Sequence, residues 1–291
     1  MAKGKIGWLA TVGLVCLLVS AGARAEYEGV SFGVELYGGP SPQCSASGLN
    51  SARNDADAVR DALSTMGYPQ SEYYEDDDVD GYDFIDDAYC WWCSEDVDPT
   101  GTDFADVIFF SGHGGRTCAS PVWRSAISLG DSTSTTNACW LSLGNMRLSN
   151  NGGDASDANV MMLSSCQSAQ KCVWDNHGFD SIVSGSTQFN ILNGFHGLSW
   201  DNDDNTSWLG SYVTGAETEG LGDDWIDWMT DASFWYTEDQ CATSMTWGTD
   251  SAACDLQEDH GGFMDFKITN PLNVTRYYYL SPCDPEDGEA L

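Results

Sequence analysis

The chain has 291 residues, and its 45 Asp and Glu against 11 Lys and Arg give a formal net charge of −34. A surface that acidic repels nucleic acid and anionic membranes and argues against both as partners, while it suits a salty medium, cations or basic substrates. The chain is long enough for one large domain with its own core.

Met1 to Ala25 reads as a secretory leader: Lys3 and Lys5 give a basic start, Ile6 to Val19 an apolar core, and Ala23-Arg24-Ala25 a small-x-small cleavage site. The apolar core is short for a membrane-spanning helix. Removing Lys3, Lys5 and Arg24 with the leader takes the charge three units lower, to −37. The mature chain is then expected to be secreted or periplasmic, with no membrane partner after cleavage. Residues 26–281 are expected to form one domain, and residues 282–291 a polar tail. Ten cysteines follow the leader: Cys44, Cys90, Cys93, Cys118, Cys139, Cys166, Cys172, Cys241, Cys254 and Cys283. Export makes most of them disulfide partners.

Val30 to Leu36 reads as a first strand, and Gly38 to Ser47 as a Gly/Pro/Ser loop. Gly48 to Met66 is the clearest helix, with Leu49, Ala52, Ala56, Val59, Leu63 and Met66 at spacings of three and four and Gly67 placed to end it. Glu72 to Asp87 is an acidic run. Within it Asp76, Asp78, Asp80 and Gly81 follow D-x-D-x-D-G, with Asp87 twelfth, a spacing of oxygen ligands that suits Ca²⁺. The twelfth position is Asp rather than the bidentate Glu, so a solvated acidic loop is the competing reading. Cys90-Trp91-Trp92-Cys93 lacks the second ligand pair a zinc site needs, and acidic neighbours oppose a redox thiolate; it reads as a structural loop, or as two cysteines each paired elsewhere.

Val107-Ile108-Phe109-Phe110 is a short apolar run that stops at Ser111-Gly112-His113-Gly114-Gly115, and Asn159 to Leu163 runs likewise into Ser164-Ser165-Cys166-Gln167-Ser168-Ala169. Both read as buried strands. The ends of such strands are where open α/β sheets bind ligands, so one strand delivers a His and another a Cys. Those are the parts of a thiol nucleophile and its base. If Cys166 is such a thiol, nine cysteines are left, and a second must also lie outside the intrachain disulfides; the competing reading pairs Cys166 with Cys172. Between the two strands, Thr117 to Ala138 reads as a loop-rich insertion, Trp140 to Leu148 as a short helix and Asn150 to Asp157 as a polar turn. Lys171 to Phe179 reads as helical and Gln188 to Gly197 as a strand ending at His196, a rival base or a pocket wall. Trp208 to Ala216 and Asp223 to Tyr236 read as helices, and Phe263 to Ile268 and Tyr277 to Leu280 as late edge strands.

These residues resemble a family. FFSGHGG around His113 is similar to the YSGHG signature of metacaspases and the wider caspase-like clan, which includes paracaspases, legumains and gingipains; SSCQSA around Cys166 resembles the metacaspase D-S-C-H-S-G. The helix with Asn54-Asp55-Ala56 and a closing Gly67-Tyr68 resembles the family's early helix, and 53 residues separate His113 from Cys166. The likeness spans roughly Phe32 to Trp200 and points to a secreted bacterial branch. It implies an α/β fold, a caspase-like three-layer α/β/α sandwich with a mostly parallel central sheet. It also implies a cysteine endopeptidase in which Cys166 attacks a peptide carbonyl, His113 moves the proton, and the N–H groups of Gly114 and Cys166 hold the oxyanion. One such donor contributes about 3 kcal/mol to the barrier. The partner is a protein or peptide substrate; no cofactor is required, and calcium activation is common in the clan.

The departures narrow what carries over. Metacaspases place an Asp two residues before the nucleophile, where it reads a basic P1 side chain; here that position is Ser164, which with His196 is assigned to the substrate pocket. Gln167 replaces the motif's His. Two further readings use the same residues: a non-catalytic, calcium-stabilised binding or surface protein on this scaffold, and a transpeptidase or ligase in which an amine captures the thioester.

Overall fold

A computed structural model describes residues 28–37, 46–68, 70–96, 101–130, 139–150, 158–186, 188–230, 239–260, 274–285 and 290–291. The expected leader, Cys44 with most of the loop expected over 38–47, the strand expected over 263–268, the end of the helix expected over 223–236, and parts of the loop, turn and tail expected around 131–138, 151–157 and 286–289 lie outside them.

Strands β3 (Val107–Ser111) and β7 (Val160–Ser164) are buried at every position. A strand without a polar face needs cover on both sides, and the sheet provides it. Ile108, Phe110, Met161 and Leu163 point into one core, and Val107, Phe109, Val160 and Met162 into another. The central sheet has seven strands in the order β10-β9-β8-β7-β3-β1-β2. Here β1 is Glu28–Gly33, β2 Gln70–Glu75, β8 Ile191–Phe195, β9 Ala242–Gly248 and β10 Val274–Tyr279. The pairs from β2 through β8 are parallel, while β8–β9 and β9–β10 are antiparallel.

One face carries helices α1 (Ala52–Met66), α3 (Asp203–Glu219), α4 (Leu221–Met229) and α5 (Ser251–His260). The other is covered by a small antiparallel sheet, the short helix α2 (Lys171–Asp175) and single 3₁₀ turns. The small sheet is ordered β4-β5-β6: β4 is Gly114–Ala119, β5 Val122–Ser128 and β6 Trp140–Ser142. The chain is thus α/β with three layers, one of them only partly helical. α1 ends as its sequence requires: Gly67 takes φ 105°, a left-handed conformation that glycine adopts without Cβ strain, and caps the last carbonyls.

Several expectations need correction. The insertion after His113 is a β-hairpin, β4–β5, and Trp140 begins a strand and a 3₁₀ turn rather than a helix. The acidic run begins as edge strand β2, whose parallel pairing to β1 outweighs its charge. β9 and α5 carried too weak a periodicity to be read. α3 starts earlier than expected, at Asp203, because Asn202 caps it by accepting from Asn205 N.

Candidate active site

β1 leads through α1 to β2 on one side, and the chain then crosses to β3 on the other. The crevice at the C-terminal ends of β1 and β3 is therefore a topological switch point, where such sheets bind ligands. β3 and β7 lie in register with Ser111 opposite Ser164, and Gly112 N donates to Ser164 O at 3.3 Å. Two residues beyond that pair each chain delivers its reactive group. His113 and Cys166 both line a cavity of about 20 Å³, together with Leu49, Asp55, Ser164 and Asp201. That is room for about one water.

Cys166 is not disulfide-bonded. Cys118 pairs with Cys172, Cys90 with Cys93 and Cys241 with Cys283, and Cys139 is also in a disulfide. The second thiol demanded by the odd count is Cys254, buried on α5. The Cys166 Sγ receives the amide N–H of Ser199 at 3.4 Å and lies 3.6 Å from Ser199 O. An amide donor at the sulfur solvates a thiolate.

His113 is held from two sides. Its backbone N–H donates to the Tyr37 hydroxyl at 2.8 Å, which itself donates to Val34 O at 3.0 Å. The Tyr37 ring packs on the imidazole with centroids 4.8 Å apart. Burial pushes the Tyr37 phenol well above its ordinary range, so it stays a donor. His113 Nε2 lies 2.7 Å from Ser47 O. A carbonyl oxygen only accepts, so Nε2 is the donor in this contact and Nδ1 is the nitrogen left for a proton from elsewhere.

Gly114 passes directly over Cys166. A Cβ built there would meet Cys166 O at 2.1 Å and Cys166 N at 2.9 Å. Only glycine allows the two expected oxyanion segments to approach this closely.

The cavity floor is acidic. Asp55 accepts from Ser111 Oγ at 2.9 Å and from Thr206 Oγ1, and burial pushes its carboxyl up to about 7 despite both bonds. Asp201 accepts from Asn50 N and Ser51 N at 2.7 and 2.8 Å, closing the N-terminus of α1. Ser164 Oγ receives Asn205 Nδ2 at 3.2 Å. Of the two residues expected in the pocket, Ser164 lines it and His196 does not. His196 is buried, with its Nδ1 accepting the Lys171 amide at 3.0 Å at the start of α2.

The expected calcium ligands do not converge. Asp76 Oδ1 accepts from Glu35 N and Leu36 N and its Oδ2 faces Arg53, while Asp80 caps a 3₁₀ turn by accepting from Tyr82 N. Asp78 is exposed. Among the described residues the acidic oxygens that gather within 4.8 Å belong to Asp86, Asp87 and Asp96, so of the expected set Asp87 alone lies in that cluster.

Ser47, Tyr37, Asp55, Ser199 and Asp201 complete the site and were not assigned to it from the sequence. For Asp55 a signal exists: it lies three residues after Ala52 and four before Val59, on the apolar stripe of α1, where an acid needs a buried partner. No protein-family model and no curated protein matches the chain.

Proposed function

We propose that the chain is an exported cysteine endopeptidase. The observation that carries this reading is the β3–β7 register, which sends His113 and a non-disulfide Cys166 into one small cavity at the sheet's switch point. The Cys166 thiol gives its proton to His113 Nδ1, and the sulfur attacks the substrate carbonyl carbon. Ser47 O holds the resulting imidazolium. As the C–N bond breaks, His113 returns the proton to the leaving amine, and a thioester remains on Cys166. Water, deprotonated by the same imidazole, then hydrolyses the thioester. The N–H groups of Gly114 and Cys166 are the assigned donors to the oxyanion. Three disulfides among the described residues suit export.

Iodoacetamide should label Cys166 in the native protein, and Cys166→Ala and His113→Ala should each reduce cleavage of a peptide library at least about 10³-fold. An unreactive Cys166 together with unchanged cleavage in both variants overturns the reading. If neither labelling nor cleavage occurs and Ca²⁺ raises the melting temperature through Asp86, Asp87 and Asp96, the binding-protein reading takes its place.

A further inference from the structure

A second, larger cleft adjoins the first. It measures about 470 Å³, within the range that holds small ligands, and its lining includes Gly115, Arg116, Arg124, Trp140 and Gln167. His113 and Cys166 line the first cavity, and Gly115 and Gln167 line this one. The same two segments, at Gly114 and Cys166, therefore separate them. The two clefts differ in lining: the carboxyl groups of Asp55 and Asp201 stand in the first, and two arginines in the second.

Arg124 stands out against the composition, as does Arg276 on β10, which is likewise exposed. The chain has 11 Lys and Arg in all. Arg53, Arg60, Arg147 and Lys171 lie in ion pairs with the protein's own carboxylates. Arg124 is exposed and forms no ion pair among the described residues. It pairs across the hairpin with Thr117, while the adjacent Arg116–Ser125 pair points to the opposite face of the hairpin. Trp140, about half exposed, brings its indole over Gly115.

The cleft is fixed relative to the nucleophile. Ser125 Oγ, on the strand that carries Arg124, donates to Gln167 O at 2.9 Å in a buried bond. Ser128 N donates to His113 O at 2.8 Å, and the Cys118–Cys172 disulfide ties β4 to α2.

We propose that this cleft is a substrate subsite for a carboxylate, so that the peptides bound across Cys166 carry an acidic group beside the bond to be cut. A guanidinium presents parallel N–H donors that match a carboxylate in two bonds, and the Trp140 face supports the adjoining peptide. The carboxylate can come from an Asp or Glu side chain or from a peptide C-terminus; both offer the same two oxygens. The inference deepens the peptidase reading and names part of its substrate class.

The test uses the full mature chain as Cys166→Ala, so that nothing is consumed, and fluorescein-labelled peptides read by anisotropy. One peptide carries Asp and Glu with an amidated end, a second is its Asn/Gln counterpart, also amidated, and a third is that counterpart with a natural carboxyl end. The first or the third should bind about tenfold tighter than the second. Arg124→Gln, a surface change that should leave thermal unfolding unaltered, should abolish that preference. A preference confined to the first peptide assigns a side chain, and one confined to the third a chain end. Equal binding of all three, or a preference that survives Arg124→Gln with Arg116→Gln, overturns the inference. Arg124-dependent binding in a protein that cleaves no peptide leaves the subsite standing while the peptidase reading fails; cleavage with no dependence on acidic groups does the reverse.

Discussion

At Gly114 one methyl group is the difference between room and a clash beside Cys166. Alanine would set its Cβ 2.1 Å from Cys166 O, and both partners are backbone, so no side chain can swing aside. Gly114→Ala must push β4 away from the Cys166 turn. Displacements of about 1 Å at a reacting centre cost on the order of 100-fold, and forced packing costs about 1–3 kcal/mol. We expect kcat/KM for peptide cleavage to fall at least 100-fold with a modest loss of melting temperature; full activity in this variant would remove the oxyanion assignment. The residue scale also marks how far the site could be read from sequence. His113 and Cys166 each follow an apolar run and announce themselves. Ser47, Tyr37 and Asp201 act through a carbonyl, a hydroxyl and a carboxylate brought in from loops. Contacts between residues as far apart as Ser51 and Asp201 leave no local pattern. The acids of the expected calcium set do not gather, for a related reason. The spacing of Asp76, Asp78 and Asp80 satisfied a motif, but Asp76 oxygens are taken by the Glu35 and Leu36 amides and by Arg53.

Among the elements, the β4–β5 hairpin decides the geometry around Cys166, and it was the least legible. GGRTCA and VWRSAIS mix small, charged and apolar residues because this sheet has one face toward the cleft and is only partly buried. Both alternation and apolar runs are therefore weak in it. β9 was missed for the opposite reason. ATSMTWG is buried throughout, with Thr243 Oγ1 donating to Ala169 O and Gly194 O, yet three of its seven side chains are Thr or Ser, so the sequence reads as polar. By contrast α1, β3, β7 and β8 are held by contiguous or regularly spaced apolar residues and were legible at once. The hairpin's anchor is testable. The Cys118–Cys172 bridge closes 54 residues of chain, a loop whose closure is worth roughly 4 kcal/mol in the unfolded state. Cys118→Ala with Cys172→Ala should lower the denaturant midpoint accordingly. It should also reduce cleavage more than the stability loss alone explains, since β4 carries Gly114. Unchanged activity in the folded double variant would show that the disulfide acts on stability only.

For the molecule as a whole, buried acids govern the response to pH. Burial is the leading cause at each of four sites: Asp55 and Asp83 are pushed up to about 7, Glu258 to about 8, and Glu95 well above its ordinary range. In the unfolded chain these carboxyls ionise near pH 4. Between about pH 5 and pH 8 the folded protein therefore holds more protons than the unfolded one. Unfolding free energy must then fall as pH rises through that window. The overall charge acts in the same direction, because each proton lost adds to a chain already at −34 and strengthens its self-repulsion. The melting temperature should be highest near pH 5 and lower by on the order of 5 °C at pH 8. Asp55→Asn should flatten part of that slope, since it replaces an acid that must ionise in a buried cavity with a neutral group able to keep partners in Ser111 and Thr206. Asp77→Asn, at an exposed position, should leave the slope as it is. A melting temperature that rises from pH 5 to pH 8, or an Asp55→Asn slope equal to that of the parent, would mean that the cavity beside Cys166 is wetter than its 20 Å³ suggests. In that case Asp55 would face the substrate as a full negative charge across the whole range.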